Sequence, residues 1–118
     1  MDTELRVTPR PAPPGVRMLA VVGQVDMDSA GLLAGALEEA LNSPPAPDTL
    51  VVDCSALAFC TSAGLNELLR ARLAAVAAGV AFRLASPTPR MSRLLRVTEA
   101  DTVLDIDTAE QPPVKDGC

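Results

Sequence analysis

Few side chains in this 118-residue chain can carry chemistry. It has no His, which removes the commonest general base and the commonest metal ligand. The hydroxyls that stand out are Thr61 and Ser62, in the run Phe59-Cys60-Thr61-Ser62-Ala63-Gly64-Leu65-Asn66. Ser62 stands before a helical pattern, where it reads as an N-cap accepting a hydrogen bond from an unpaired amide of the first turn. The same place has a second use. Free amides and the positive end of the helix dipole are receptive to a phosphate, and a phosphoserine would add about −1.5 to −2 charges to the surface. As an enzymatic set, Asp26, Asp53 and Ser62 are the only candidates, with no His or Lys near them in sequence to activate a nucleophile. There is no GxxxxGK[ST] run to cradle phosphates. The three cysteines (Cys54, Cys60, Cys118) lack CxxC spacing, which argues against a disulfide framework or zinc site. Cys54 and Cys60 read as small core residues. No catalytic residue, metal or cofactor is expected.

The elements that must position the Ser62 run lie on either side of it. Leu50-Val51-Val52-Asp53-Cys54 reads as a strand buried on both faces. Leu65, Leu68, Leu69, Leu73, Val76 and Ala77 fall on one face of a helix that Gly79 can end in the left-handed conformation. Upstream, Leu5–Thr8 and Val16–Val22 read as an antiparallel pair across a proline-rich turn, Pro9 to Gly15, that cannot continue a ladder. Gly23-Gln24-Val25-Asp26 then leads into an Ala/Leu-rich helix ending near Leu41, capped by Asp26 or Asp28. Leu32, Leu33, Ala36, Leu37, Ala40 and Leu41 line its apolar face. Downstream, Val80–Ala85 is a fourth strand and Ser86-Pro87-Thr88-Pro89 opens a helix through Val97. Val103–Ile106 is a final strand, and residues 108–118 read as a frayed tail. Strands alternating with helices imply an α/β fold of one domain, parallel after the first hairpin.

Charge is segregated within a net of −5. Residues 18–69 carry seven acids and no base, and residues 70–96 carry six arginines and no acid. The arginines are spread over a strand and two helices, and Phe59 and Phe82 are the only aromatics, so base stacking and nucleic-acid binding are not expected. Solvated helix faces and local pairing with the acidic half are the expected roles. No apolar run approaches the ~20 residues that span a bilayer, and Met1-Asp2-Thr3-Glu4 has no signal-peptide pattern. A cytoplasmic protein off the membrane is expected.

Three stretches together carry a resemblance over about residues 5–107. They are Gly23-Gln24-Val25-Asp26, then Val51-Val52-Asp53 through Phe59 to Asn66, then Ser86-Pro87 with Arg93-Leu94-Leu95-Arg96-Val97-Thr98. In order and spacing the chain resembles a STAS domain, specifically a bacterial anti-sigma factor antagonist of the SpoIIAA and RsbV type. The resemblance implies a mixed sheet packed against helices. It also implies that the loop before the second long helix docks on an anti-sigma factor of the serine-kinase type and frees a sigma factor, phosphorylation of a loop serine abolishing the binding. The implied partner-binding positions are Asp26, Thr61, Ser62, Ala63, Gly64 and Asn66.

The chain departs from the family at the switch. Laid on the family's Asp-Ser-Ser-Gly loop, Thr61 replaces the aspartate, and the usual phosphoacceptor position is Ala63. Ser62, matching the first serine, is the fallback acceptor. The leading reading is therefore a non-enzymatic anti-sigma factor antagonist whose phosphoswitch serine is replaced by Ala63. The alternative is a ligand-binding or scaffold STAS module, such as a nucleotide- or lipid-linked sensor or transporter subunit. A homo-oligomer is compatible with either reading but nothing in the sequence points to one.

Overall fold

The structure is a computed structural model that describes residues 4–107. Its hub is β2 (Val16–Val25), ten residues long. β1 (Arg6–Arg10) pairs with it antiparallel, with Arg6 opposite Val22 and Arg10 opposite Met18. On its other side β2 receives two short parallel strands in succession. β3 (Thr49–Asp53) lies against Val16–Ala20, and β4 (Leu57–Cys60) against Gly23–Val25. β5 (Ala81–Ala85) and β6 (Asp105–Asp107) extend the sheet in parallel beyond β3, giving the order β1-β2-β3-β5-β6 with β4 paired to β2. Three helices connect them: α1 (Ala30–Asn42), α2 (Ser62–Ala77) and α3 (Pro89–Val97). This is the expected α/β architecture, a mixed sheet packed against helices.

The strand residues alternate. Leu19, Val52 and Leu84 lie side by side in register and are all buried. Leu50 and Phe82 form the next buried row, with half-buried Arg17 beside Leu50 on β2. Arg17 shows which layer covers this face: its guanidinium donates to the carbonyls of Ala40, Ser43 (3.1 Å) and Pro45 (2.8 Å), satisfying acceptors left open at the end of α1. Leu33, Leu37, Leu41, Leu65, Leu68 and Ala75 complete the core from α1 and α2. Each fully buried leucine contributes roughly 1.5–3 kcal/mol by leaving water. The third helix packs against β4 and the turn after it, sending Met91 and Leu95 into the same core.

The opposite sheet face is charged. Arg10 meets Asp53 at 3.4 Å, and Arg83 meets Asp105 at 3.4 Å and Asp107 at 3.6 Å. These partly exposed pairs are worth at most about 1 kcal/mol each. They make that face polar. The central strand is therefore not buried on both faces as expected, because among the described residues no helix lies over this side of β3: Thr49, Val51 and Asp53 are only partly covered.

Several other boundaries move. β1 runs through Pro9 to Arg10, which an edge strand permits because the missing N–H can face away from the neighbour. β2 continues to Val25, so Gly23-Gln24-Val25 is strand rather than turn, with a register shift at Gly23/Gln24. β4 has no counterpart in the sequence reading. The last strand is displaced to Asp105–Asp107 because Ala100–Thr102 forms a 3₁₀ turn. In α1, Leu32 is exposed rather than apolar-faced. In α2, Leu73 (63% exposed) and Val76 (62% exposed) point outward, while Ala71 and Ala75 hold the buried positions.

The end of α2 follows its glycine. Gly79 has φ 75°, its N–H donates to Val76 O and Val80 N–H donates to Ala75 O, the paired pattern of a left-handed helix stop. Cys54 and Cys60 are buried free thiols. Cys118 and the 108–118 tail lie outside the described residues.

Candidate functional site

The site is assembled by the β2–β4 pairing. Val25 stands opposite Cys60, and the N–H of Thr61 donates to the carbonyl of Val25 at 2.9 Å. The residues that follow, Asp26 on one strand and Thr61 and Ser62 on the other, therefore emerge side by side. β5 is parallel to β3 and so opens its helix at the same end of the sheet. Three helix N-termini thus share one edge, as the crossover rule for parallel strands requires.

Each N-terminus has its own cap. At α1, Asp26 and Ser29 form a reciprocal box: Ser29 N–H and Oγ–H donate to Asp26 Oδ1, and Asp26 N–H donates to Ser29 Oγ, all at 3.0 Å. Hydrogen bonds from the Ser29 backbone, then from its hydroxyl, hold the Asp26 carboxyl below its ordinary value. Of the two acids considered for capping, Asp26 is the one engaged: it closes the turn that leads into α1 by holding Ser29, which is the N-cap residue itself. At α2 the cap is Thr61 and not Ser62: Thr61 is extended (φ −86°, ψ 173°) and its Oγ1 accepts a long 3.5 Å bond from Gly64 N–H. Ser62 is the first helical residue, which frees its hydroxyl from capping. At α3, Thr88 Oγ1 accepts from Met91 N–H at 3.2 Å and donates to Leu57 O at 3.2 Å, tying the third loop to β4.

Gly64 controls how closely the second loop approaches the first. A Cβ there would lie 2.6 Å from Val25 Cγ1 and 2.8 Å from Cys60 Sγ. Only a glycine lets α2 begin against the end of β2. Gly64 and Leu65 are buried, Thr61 and Ala63 half-buried, and Ser62 and Asn66 exposed one turn apart on the solvent side of α2. Of the six implied partner-binding positions, the structure brings five to the rim and turns Gly64 inward as a spacer.

Two apolar residues join this rim without a signal in the sequence. Met27 is 79% exposed beside Asp26, and Phe59 is 40% exposed two residues before Thr61. The guanidinium of Arg90 lies 5.9 Å from the Phe59 ring centre, a cation–π contact worth about 0.5–1 kcal/mol at an exposed site. Phe59 sits in the unrecognised β4, whose outward side its periodicity does not reveal.

The two cysteines near the site are buried thiols. Burial pushes the Cys54 thiol up to about 12 and the Cys60 thiol up to about 11, so both stay protonated at neutral pH. Asp53, on the charged sheet face, pairs with Arg10 and accepts from Ser55 N–H at 3.0 Å. A solvent-open hollow of about 500 Å³ adjoins it, lined by Arg10, Met18, Ser55, Ala85, Ser86 and Asp107. Among the described residues no group of three His, Cys, Asp or Glu side chains could hold a metal ion, and no helix is long and apolar enough to cross a membrane.

A family profile described as "Mlab, STAS domain" matches residues 11–105. The chain belongs to the STAS family. Among solved structures, this STAS domain is similar to an anti-sigma factor antagonist from Mycobacterium paratuberculosis, at 24% identity over 91% of this chain and 88% of that one, with a TM-score of 0.73. SpoIIAA, an anti-sigma factor antagonist in its unphosphorylated form, matches at 15% identity over 89% and 90% of the two chains, TM-score 0.72. A sulfate transporter family protein from Wolinella succinogenes matches at 16% identity over 86% and 84%, TM-score 0.71. At these identities the likeness is one of fold. Curated protein sequences gave no significant match.

Proposed function

We propose that this STAS domain is a non-enzymatic anti-sigma factor antagonist, which docks through the Asp26 turn and the start of α2 on a serine-kinase-type anti-sigma factor and so frees a sigma factor. The observation that supports this most is the joining of the two loops: the Thr61–Val25 hydrogen bond and the Gly64 contact hold Asp26, Met27, Ser62 and Asn66 as one preformed rim. A preformed rim lowers the ordering cost of binding. Ala63 takes the place of the family's phosphoacceptor, so on this reading the domain keeps the docking surface and lacks the switch. It acts in the cytoplasm, where its partners would be.

A second reading, a scaffold subunit of a transporter, draws support from the likeness in fold to the sulfate transporter family protein. Affinity capture with the full chain from native cell extract separates the two. Recovery of a histidine-kinase-like ATPase that then binds the purified chain directly supports the first reading. Recovery of a transporter subunit, with no such ATPase, overturns it.

A further inference from the structure

We propose that the docking face continues along α3, where Arg90, Arg93 and Arg96 receive an acidic segment of the protein partner. The inference rests on the docking reading only for the existence of a protein partner. At 3.6 residues per turn the three arginines span about 120° of the helix, centred on Arg93 and opposite the buried pair Met91 and Leu95. All three are exposed, and among the described residues none forms an ion pair. Local pairing with the acidic half, expected from the sequence, is thus absent here: Arg83 finds Asp105 and Asp107, and Arg10 finds Asp53, while α3 keeps its charge for something else.

The stripe adjoins the rim already described. Thr88 ties the first turn of α3 to the Leu57 carbonyl, and Arg90 lies over Phe59, on the strand that delivers Thr61. A chain of net charge −5 would repel an acidic partner at long range, so an unpaired cationic stripe on it favours one orientation of such a partner. Arginine forks bind carboxylates bidentately, and an arginine beside an aromatic is a frequent centre of binding energy. Nucleic acid fits less well. The stripe offers three cations and one aromatic, which Arg90 already covers, whereas a strand groove needs a longer basic track with several stacking faces. A membrane surface fits less well again. Met91 and Leu95 of α3 point into the core and Leu94 is half-buried, so Val97 at the end of the helix is its one exposed large apolar side chain, too little for an inserting face.

The test uses the full chain, the Arg90→Gln/Arg93→Gln variant and a charge-matched Arg70→Gln/Arg72→Gln variant, each checked for an unchanged urea midpoint. The probes are a helical peptide with glutamates on one face, its glutamine twin, a DNA duplex and phosphatidylglycerol vesicles. The glutamate peptide is expected to bind the native chain, to weaken with salt and to lose at least about tenfold in affinity only in the α3 variant. Absence of binding, equal loss in both variants, or α3-dependent binding of DNA or vesicles instead overturns the proposal. Self-association of the native chain that the α3 variant loses would overturn it too, by making a second copy the occupant. The kinase-type ATPase keeps the two readings apart. If it binds the α3 variant at native strength, the stripe is not part of the docking face and the docking reading stands. If no such ATPase binds but the peptide pattern holds, the docking reading fails and the stripe stands.

Discussion

The Cβ position of Gly64 lies 2.6 Å from Val25 Cγ1, closer than two carbons tolerate, so the second helix can start against the second strand only with glycine there. Gly64→Ala is therefore a sharp probe. In an open helix that change gains up to about 1 kcal/mol, but here the clash with Val25 and Cys60 opposes it, and overpacking a tight core costs about 1–3 kcal/mol. Net destabilisation is expected in urea unfolding, with partial recovery when Val25→Ala is added. A stabilised Gly64→Ala protein would mean that the loops are not held together by this contact.

Asp26 gives a pH signature. Its folded carboxyl is held below the ordinary value of 3.8, so the stability it contributes is fully present above the unfolded value and is lost as pH falls through the folded one. Asp26→Ala should lower the unfolding midpoint at neutral pH, and the gap from the native chain should narrow in acid below about pH 4. Asp26→Asn keeps a good capping side chain and should lie closer to the native chain in stability. If both variants also lose partner affinity, the residue has a contact role beyond its cap. Unchanged affinity in Asp26→Asn would leave it a cap alone.

Arg17 is expected to matter more than a strand arginine normally would. It holds the Ala40, Ser43 and Pro45 carbonyls together at the end of α1. Arg17→Met keeps the stem and removes the fork, and should cost roughly 1.5–3 kcal/mol in chemical denaturation, the scale of a hydrogen bond to a charged group. Arg17→Lys should recover little, because a single ammonium cannot reproduce a fork whose two terminal nitrogens serve different carbonyls. A Met variant of native stability would show the three bonds to be incidental.

The helices around the site are legible in the sequence, whereas β4 and the finer geometry are not. Glycine and proline punctuation located α2 and α3, since Gly79 stops one and Pro89 starts the other. β4 escaped notice because its burial runs buried, exposed, exposed, buried, without the alternation that marks a strand, and the register shift at Gly23/Gln24 accommodates it. The inward face of α2 was misjudged for a related reason. α1 and α2 pack together, so small residues such as Ala71 serve the contact while the larger Leu73 and Val76 turn to solvent. The sequence pattern points to Ser62 as the cap, whereas the extended backbone at Thr61 makes Thr61 the cap and Ser62 the first helical residue.

Phosphorylation should be poor in this chain. Ala63 has no oxygen, and Ser62, though exposed, sits one residue earlier at the first helical position, which changes its aim by about 100° around the helix. Incubation with the partner kinase and ATP should leave the native mass unchanged and modify Ala63→Ser at the new hydroxyl. Efficient modification of the native chain at Ser62, abolished by Ser62→Ala, would restore a switch to the protein.

The proposed docking rim is tested most directly by calorimetric titration of a captured kinase-type ATPase with the native chain and with Ala63→Glu. Ala63 is half-buried at the rim and packs against the core, and a carboxylate there adds charge between Ser62 and Gly64, so the comparison is made with the urea midpoint of both proteins in hand. Binding by the native chain and at least about a tenfold loss in Ala63→Glu, with both proteins equally folded, is the expected result. Equal affinity for the two proteins would contradict it and move the interface elsewhere.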